Sequence, residues 1–429
     1  MIIAHGIGGR SDLPIPLAAL LIGAGAVLVI TFVALAVLWT RPRFQDGPRY
    51  EGSAAPAPPR MLLAGIGFLS LVLVIGQVLI PISGADTDPS RATIAPVMVW
   101  VVFWLVVPFL GALIGNWYTD LNPWRAIATW FGIGRAERIG LTATLGLWPA
   151  TFVLIAFVWL ELIAPDSAPV TLGIAASIYT VFLIVEMAVV GRETGLAVFD
   201  GFTAYNRLIS SISPLGRRGD GRLVWRGWLR SLPAVPEWPG LWVFVVAMVG
   251  TVSYDGASET DWFESLTGGI DRGVGGRTLL LVSVVAVIGL AYYAACAVAA
   301  RAGDGWTAAR VTQRFAHTLV PIALAYAASH YFTLILFEGQ QLFATISDPF
   351  ALGWDIFGTA DWRISYFIIT STPIWVTQVS IIVVGHLVGV VLAHDRAVHD
   401  FGPGAVRSQY AMLGLMVALT SLGLLILSG

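Results

Sequence analysis

"YFIITSTPIWVTQVSIIVVGHLVGVVLAH", residues 366–394, runs without a single Lys, Arg, Asp or Glu. A helix needs about 20 apolar residues to cross the hydrocarbon core of a bilayer. The stretch therefore predicts a transmembrane helix, and the same test carried outward along the chain finds nine more. The ten predicted spans are residues 13–40, 61–83, 93–115, 141–164, 169–190, 238–254, 277–300, 315–338, 366–394 and 408–428, the sixth being the shortest. Composition agrees: 57% of the 429 residues are hydrophobic and only 12% charged, which excludes a soluble globular chain. The predicted fold class is all-α: a polytopic membrane helix bundle of about ten transmembrane helices, forming a single transmembrane domain over residues 1–429. No cationic segment precedes the first span, and it is far longer than the apolar part of a secretory signal. It is expected to remain as an anchor.

Arginine sets the orientation, since the chain has no Lys. Nineteen of the 24 arginines fall in the odd-numbered connections, and only Arg10, Arg91, Arg272, Arg277 and Arg363 fall on the other side. The positive-inside rule then places both termini outside. The outer connection "YDGASETDWFESLTGGIDR", residues 254–272, holds five acids and reads as a solvated loop that can concentrate cations. On the inner side, segments near 117–135 and 198–230 read as amphipathic helices in the membrane interface, rich in Trp and Arg. Asn122 and Pro123 suit the cap and first position of the earlier one. "RAIATWFGIGR" (125–135) and "RLISSISPLGR" (207–217) share four residues without a gap, the pattern expected of an internal duplication or of two helices meeting the same lipid. The expected partners are the lipid bilayer, anionic headgroups at these Arg/Trp segments, and other membrane subunits; nucleic acid is not expected. Cys296 stands alone, which leaves no intrachain disulfide or thiolate cluster.

Ionisable residues inside a bilayer are functional candidates by default. At a rise of about 1.5 Å per residue, His330 lies about 20 Å from His317 and His386 about 12 Å from His394. His317, His394 and Asp395 then mark the inner boundary, while His330 and His386 lie within the membrane. Tyr326, His330, Thr333, Phe337 and Gln341 form one stripe of the eighth span by spacing. Gly385, Gly389, Ala393 and Ala397 make a small-residue ridge on the ninth, which lets backbones approach closely. Pro321 cannot donate to the carbonyl of His317, so a kink is expected there. A polar cavity between spans eight and nine follows, with Glu338 and Gln341 at its outer mouth and Glu186 available as a second carboxylate. Glu161 is expected at the interface.

Four uses of these residues compete. In a transporter or proton/cation pathway, His330 and His386 work with a carboxylate such as Glu338 or Glu186. In a membrane redox subunit, histidines hold haem b or a metal ion, with His330 and His386 the metal ligands, or with His317/His399 and His330/His386 as two pairs. A hydrolase would use a metal-bound or His-activated water. A structural use has the imidazoles bond across helices. "HGIGG" (5–9) has no G-x-S-x-G partner, and H-E-x-x-H, P-loop and dinucleotide signatures are absent, so the familiar soluble enzyme classes drop out.

"AHGIGGRSDLPIP" (4–16), "TVSYDG" (251–256), "RFAHTLVPIALAYAASHYFTLILFEGQ" (314–340) and "GHLVGVVLAHDRA" (385–397) together resemble a family of bacterial multi-pass membrane proteins often named fenitrothion hydrolase. The resemblance touches most of the chain. It implies a bacterial cytoplasmic membrane location and, by the name, hydrolysis of a phosphotriester; it assigns no catalytic residue here.

Overall fold

The computed structural model describes residues 15–47, 51–84, 87–88, 90–137, 140–164, 168–217, 222–270 and 272–429. His5 with its "HGIGG" stretch, Arg10, Arg49, Arg138, Arg218 and Asp271 lie outside the described residues. Each of the ten apolar stretches contains a helix. They are α1 (Leu17–Leu38), α2 (Arg60–Gly76), α3 (Ile94–Ile114), α4 (Trp148–Leu162), α5 (Pro169–Val190), α6 (Leu241–Ser258), α7 (Val274–Ala300), α8 (Ala308–His330, continued by Phe332–Ser347 after a bend), α9 (Ser371–Phe401) and α10 (Tyr410–Ser428). Among the described residues, seven of these are long and apolar enough to cross a membrane, and the bent α8 makes an eighth if it is one span. α2 and α4 are apolar but shorter. The result is an all-α membrane bundle whose outward faces carry Ile, Leu and Val, such as Ile22, Ile30, Leu38 and Leu290, which lipid can cover without cost.

α6 is the hub. It packs against α4, α7, α8 and α10, and 83% of its most apolar window is buried by protein. The sequence reading ended this helix at Tyr254 and began a solvated loop. The helix in fact continues to Ser258, and Tyr254 to Ala257 are enclosed by neighbouring helices. Only the later part of that loop, with Glu259, Asp261 and Glu264, is exposed.

α8 and α9 lie against each other along the predicted glycine ridge. A Cβ at Gly385 would fall 2.2 Å from Ala325 Cβ and 3.0 Å from the Pro321 carbonyl, and one at Gly389 would meet the Thr318 carbonyl at 3.1 Å. Only hydrogen fits there. The expected kink at Pro321 is not the main bend. A 3₁₀ turn over Ala316–Leu319 leads into an α-helix with Pro321 in its first turn, where a missing N–H costs little. Val320 N–H bonds the His317 carbonyl, so that acceptor is filled. The 55° bend comes instead at Tyr331, so Thr333, Phe337 and Gln341 lie beyond a break in the stripe that Tyr326 and His330 begin. α9 also starts later than its apolar run, at Ser371 with Pro373 in the first turn, leaving Tyr366 to Ile369 in an exposed loop.

On the arginine-rich side, Asn122 accepts the Arg125 N–H and Pro123 opens the helix Pro123–Trp130, as the sequence predicts. A small antiparallel sheet, unforeseen in the sequence, joins β1 (Glu51–Ala55), β2 (Leu215–Arg217) and β3 (Leu223–Trp225) in the order β1-β3-β2. The two repeat copies part company here. Gly134 takes a positive φ of 67°, whereas Gly216 lies in β2.

Candidate functional site

Among the described residues several carboxylates are closed to solvent, and the surroundings of four of them differ. Asp200 caps the helix Gly201–Ser210 and accepts from Phe202 N–H, Thr203 Oγ1, Asn122 Nδ2 and Tyr179 Oη at 2.6–3.0 Å. Burial pushes its carboxyl above the usual range, against the pull of these donors. Asp395 is likewise caged, by Trp39 Nε1 (3.0 Å), Gln45 Nε2 (2.7 Å) and the N–H groups of Arg43 and Phe44. These two hold backbone segments in place, with no imidazole or cation among those donors.

Asp255 differs. Its Oδ2 accepts from His330 Nε2 at 2.9 Å and from Tyr331 Oη at 2.7 Å. The donors flank the bend in α8, so the carboxylate on the hub helix clasps the broken helix at its hinge. Both are titratable groups, and a carboxylate bonded to imidazole and phenol forms a chain along which a proton can move. The fourth acid, Glu161 near the end of α4, has both carboxylate oxygens closed to solvent and no hydrogen-bond partner. It lies within electrostatic reach of Asp255 and Tyr331. Glu161 stands one residue before the end of α4, where the sequence places it, but its carboxylate oxygens are closed off rather than open to water. Trp104 completes the group: it lies beside Tyr331 in a π-helical stretch of α3, Val97–Val106, with its indole N–H closed to solvent. Such wide turns recur at functional sites.

The histidines distribute as follows. His330 and His386 share no hydrogen bond or ring contact, so the pocket expected to join them is replaced by the His330–Asp255 pair. His386 is fully buried, donates Nδ1–H to the Ile382 carbonyl (2.8 Å), leaves Nε2 without a partner, and lies 5.6 Å from the Tyr326 ring. Tyr326 in turn donates to the Leu419 carbonyl on α10. His317 is buried with Nδ1 on the Arg314 carbonyl, and His399 bonds Asp400, which also takes both nitrogens of an Arg314 fork.

His394 and Asp395, expected to mark the inner boundary, face protein rather than water. They are 1% and 0% exposed, and His394 donates Nε2–H to the Trp39 carbonyl while Nδ1 accepts from Gln409. Together they fasten the chain that follows α1. Glu338 and Gln341 bond each other, and Tyr366 Oη donates to Glu338 at 3.1 Å, in a separate group under the exposed loop. Glu186 lies on α5, which packs on α2 and on Arg192–Val198, and it makes no ion pair among the described residues. No group of three His, Cys, Asp or Glu side chains among the described residues has the arrangement of a metal site.

The sequence reading placed Asp255 in a solvated loop, whereas it is a buried residue of α6. The available signal was the acid in "TVSYDG", which continues the helical register of the sixth span by a few residues. The chain matches no protein-family model, curated protein or solved structure to a significant degree.

Proposed function

We propose that this chain is a transport protein that carries protons or a small cation across a membrane through the Asp255–His330–Tyr331 centre. The observation that supports the reading most is the clasp itself. An ionisable triad, enclosed by protein and set at the break of an apolar helix, is the arrangement transporters use near the midplane. Purely structural acids in the same bundle are held by other means, as Asp200 and Asp395 show.

The topology we propose has ten crossings, both termini outside and the arginine-rich side facing the cytoplasm of a bacterial cell, in its cytoplasmic membrane. The 19 to 5 arginine split supports it. Trp130, Phe131 and Trp228 are exposed beside arginines on that side, which suits contact with anionic headgroups. Purified protein in liposomes with a trapped pH dye, under an imposed potassium diffusion potential, tests the function. Proton flux, or flux of sodium in a parallel arm, is expected; vesicles as tight as protein-free controls would overturn the proposal.

The same pair supports one second reading, in line with the resemblance to proteins named fenitrothion hydrolase. A carboxylate on one nitrogen of His330 can orient the ring as a general base toward water. Release of the phenol from a phosphotriester by purified protein, abolished in His330→Ala, is the result that reading requires.

A further inference from the structure

The run "YFII", residues 366–369, counts toward the ninth span in the sequence, yet α9 begins only at Ser371 and leaves it outside the helix. It closes a longer segment, residues 350–370, that carries its large apolar side chains on the outside. Trp354, Ile356, Phe357, Trp362, Phe367 and Ile368 are between 44% and 98% exposed. Polar side chains fasten the backbone beneath them. The Gln340 amide bonds both the N–H and the carbonyl of Ser365 (3.0 and 3.1 Å), Ser347 Oγ accepts from the N–H groups of Phe357 and Thr359 (3.0 and 3.3 Å), and Asp355 accepts from Ala360 N–H (3.0 Å). Asp361 pairs with Arg91 at 3.2 Å. A contiguous apolar surface held outward in this way marks a contact site rather than a stretch waiting to fold inward.

The level of the segment says what it meets. α1 and α9 run in parallel: Ala24 clusters with Ile382, and further along Trp39 Nε1 bonds Asp395 at 3.0 Å. The 22 residues of α1 are all apolar or small and make a helix about 33 Å long, close to the thickness of the hydrocarbon core. From the level of Ala24 and Ile382, α1 reaches back about 10 Å to Leu17 and α9 about 16 Å to Ser371. α9 therefore starts about 6 Å beyond the end of α1, within the headgroup layer, and the segment joins it there. The outward-facing Val376 and Val384 of α9 continue the same apolar surface into the core. At its other end the segment is tied to span ends as well, since the Pro349 carbonyl accepts from Ile94 N–H at the start of α3 (3.0 Å) and from Gln77 Nε2 just past α2 (3.1 Å). We propose that residues 350–370 are an interfacial anchor whose partner is the lipid surface on the side away from the arginine-rich segments. Trp354 and Trp362 seat at the headgroup level and Phe367 and Ile368 among the upper acyl chains. With Asp361 paired to Arg91, the exposed Asp355 and Arg363 balance, so the rings supply the attraction and a neutral lipid suffices.

Quenching of a polarity-sensitive thiol dye tests this in the purified full chain, held in phosphatidylcholine nanodiscs. The dye is placed on Phe367→Cys, and on Glu264→Cys in the exposed loop after α6 as the water reference. The native Cys296 is buried, so dye-treated wild type gives the blank. The dye at Phe367→Cys is expected to emit to the blue of the reference, to be quenched by acyl chains brominated near the glycerol end, and to resist aqueous iodide, which quenches the reference. Iodide quenching equal to the reference, with none from brominated lipid, would overturn the proposal and leave the surface to a soluble protein partner. Shielding from both quenchers would overturn it in favour of cover by a second copy of this chain. Should Phe367→Cys not fold, Ile356→Cys, another exposed position of the segment, decides by the same criteria. The outcome is independent of ion transport, which this assay does not read.

Discussion

Replacing Asp255 by Asn removes the charge from the centre of the clasp with little change of shape. The wild-type carboxylate accepts two hydrogen bonds at one oxygen, from His330 and Tyr331. Bonds to a charged group contribute about 1.5–3 kcal/mol each in protein interiors. Bonds between membrane helices facing lipid average only about 0.6 kcal/mol, because alternative partners exist when they break. Asp255 is 1% exposed and enclosed by protein on a hub helix, so the interior figure is the relevant one. The amide of Asn can keep one donor and must present its own N–H to the other. A loss of about 2–4 kcal/mol follows, at least a tenfold shift in the unfolding equilibrium. Unfolding in mixed micelles by added denaturing detergent measures it. Tyr331→Phe supplies the other arm of a double-mutant cycle, and a coupling of about 1 kcal/mol or more is expected for residues in direct contact. Strictly additive effects, or an Asp255→Asn protein as stable as wild type, would refute the claim that this carboxylate pins the bend of α8.

Three further outcomes follow from other parts of the structure. Gly385→Ala is expected to destabilise by about 1–3 kcal/mol through overpacking against Ala325, while Gly414→Ala, inside α10 with nothing within 4 Å of the added carbon, is not destabilising in the same unfolding assay and gains up to about 1 kcal/mol from helix propensity. Asp395→Asn weakens the cage around residues 39–45, so trypsin is expected to cut at Arg41 or Arg43 faster than in the wild type; unchanged digestion would count against the cage. Glu137 gives a pH signature. Burial works against its ionisation, but the N–H groups of Glu193 and Thr194 outweigh it and hold the carboxyl below its usual range. Its stabilisation is therefore full above the ordinary glutamate range and lost as pH falls through the lowered folded value. A stability gap between wild type and Glu137→Gln of about 0.5–1 kcal/mol, kept small by solvent screening, should exist at pH 7 and close in acid.

The apolar helices were legible because lipid solvation leaves a one-dimensional trace: a run long enough to cross needs no knowledge of its neighbours. The ridge of Gly385 and Gly389 was legible for the same reason, since a four-residue spacing of small side chains fixes a face whatever lies opposite. Asp255 and Glu161 were not. Both stand near the ends of short apolar runs, where an acid ordinarily meets water, and only the packing of α4, α7, α8 and α10 around α6 turns those ends into interior. The burial of His394 and Asp395 was hidden for the same reason, because the chain after α1 folds back over them. Pro321 drew attention as a helix breaker, yet a proline in a first turn breaks little, and the bend formed where Asp255 takes hold of Tyr331. In each case local composition suggested solvent, and contacts distant in sequence replaced it with protein.

The account stands or falls on whether charge at Asp255 is needed for ion movement. Proton flux into dye-loaded liposomes, normalised to folded protein, should fall at least tenfold in Asp255→Asn while Asp395→Asn, an equally buried acid outside the centre, conducts as the wild type does. An Asp255→Asn protein that folds and carries protons at the wild-type rate would contradict it.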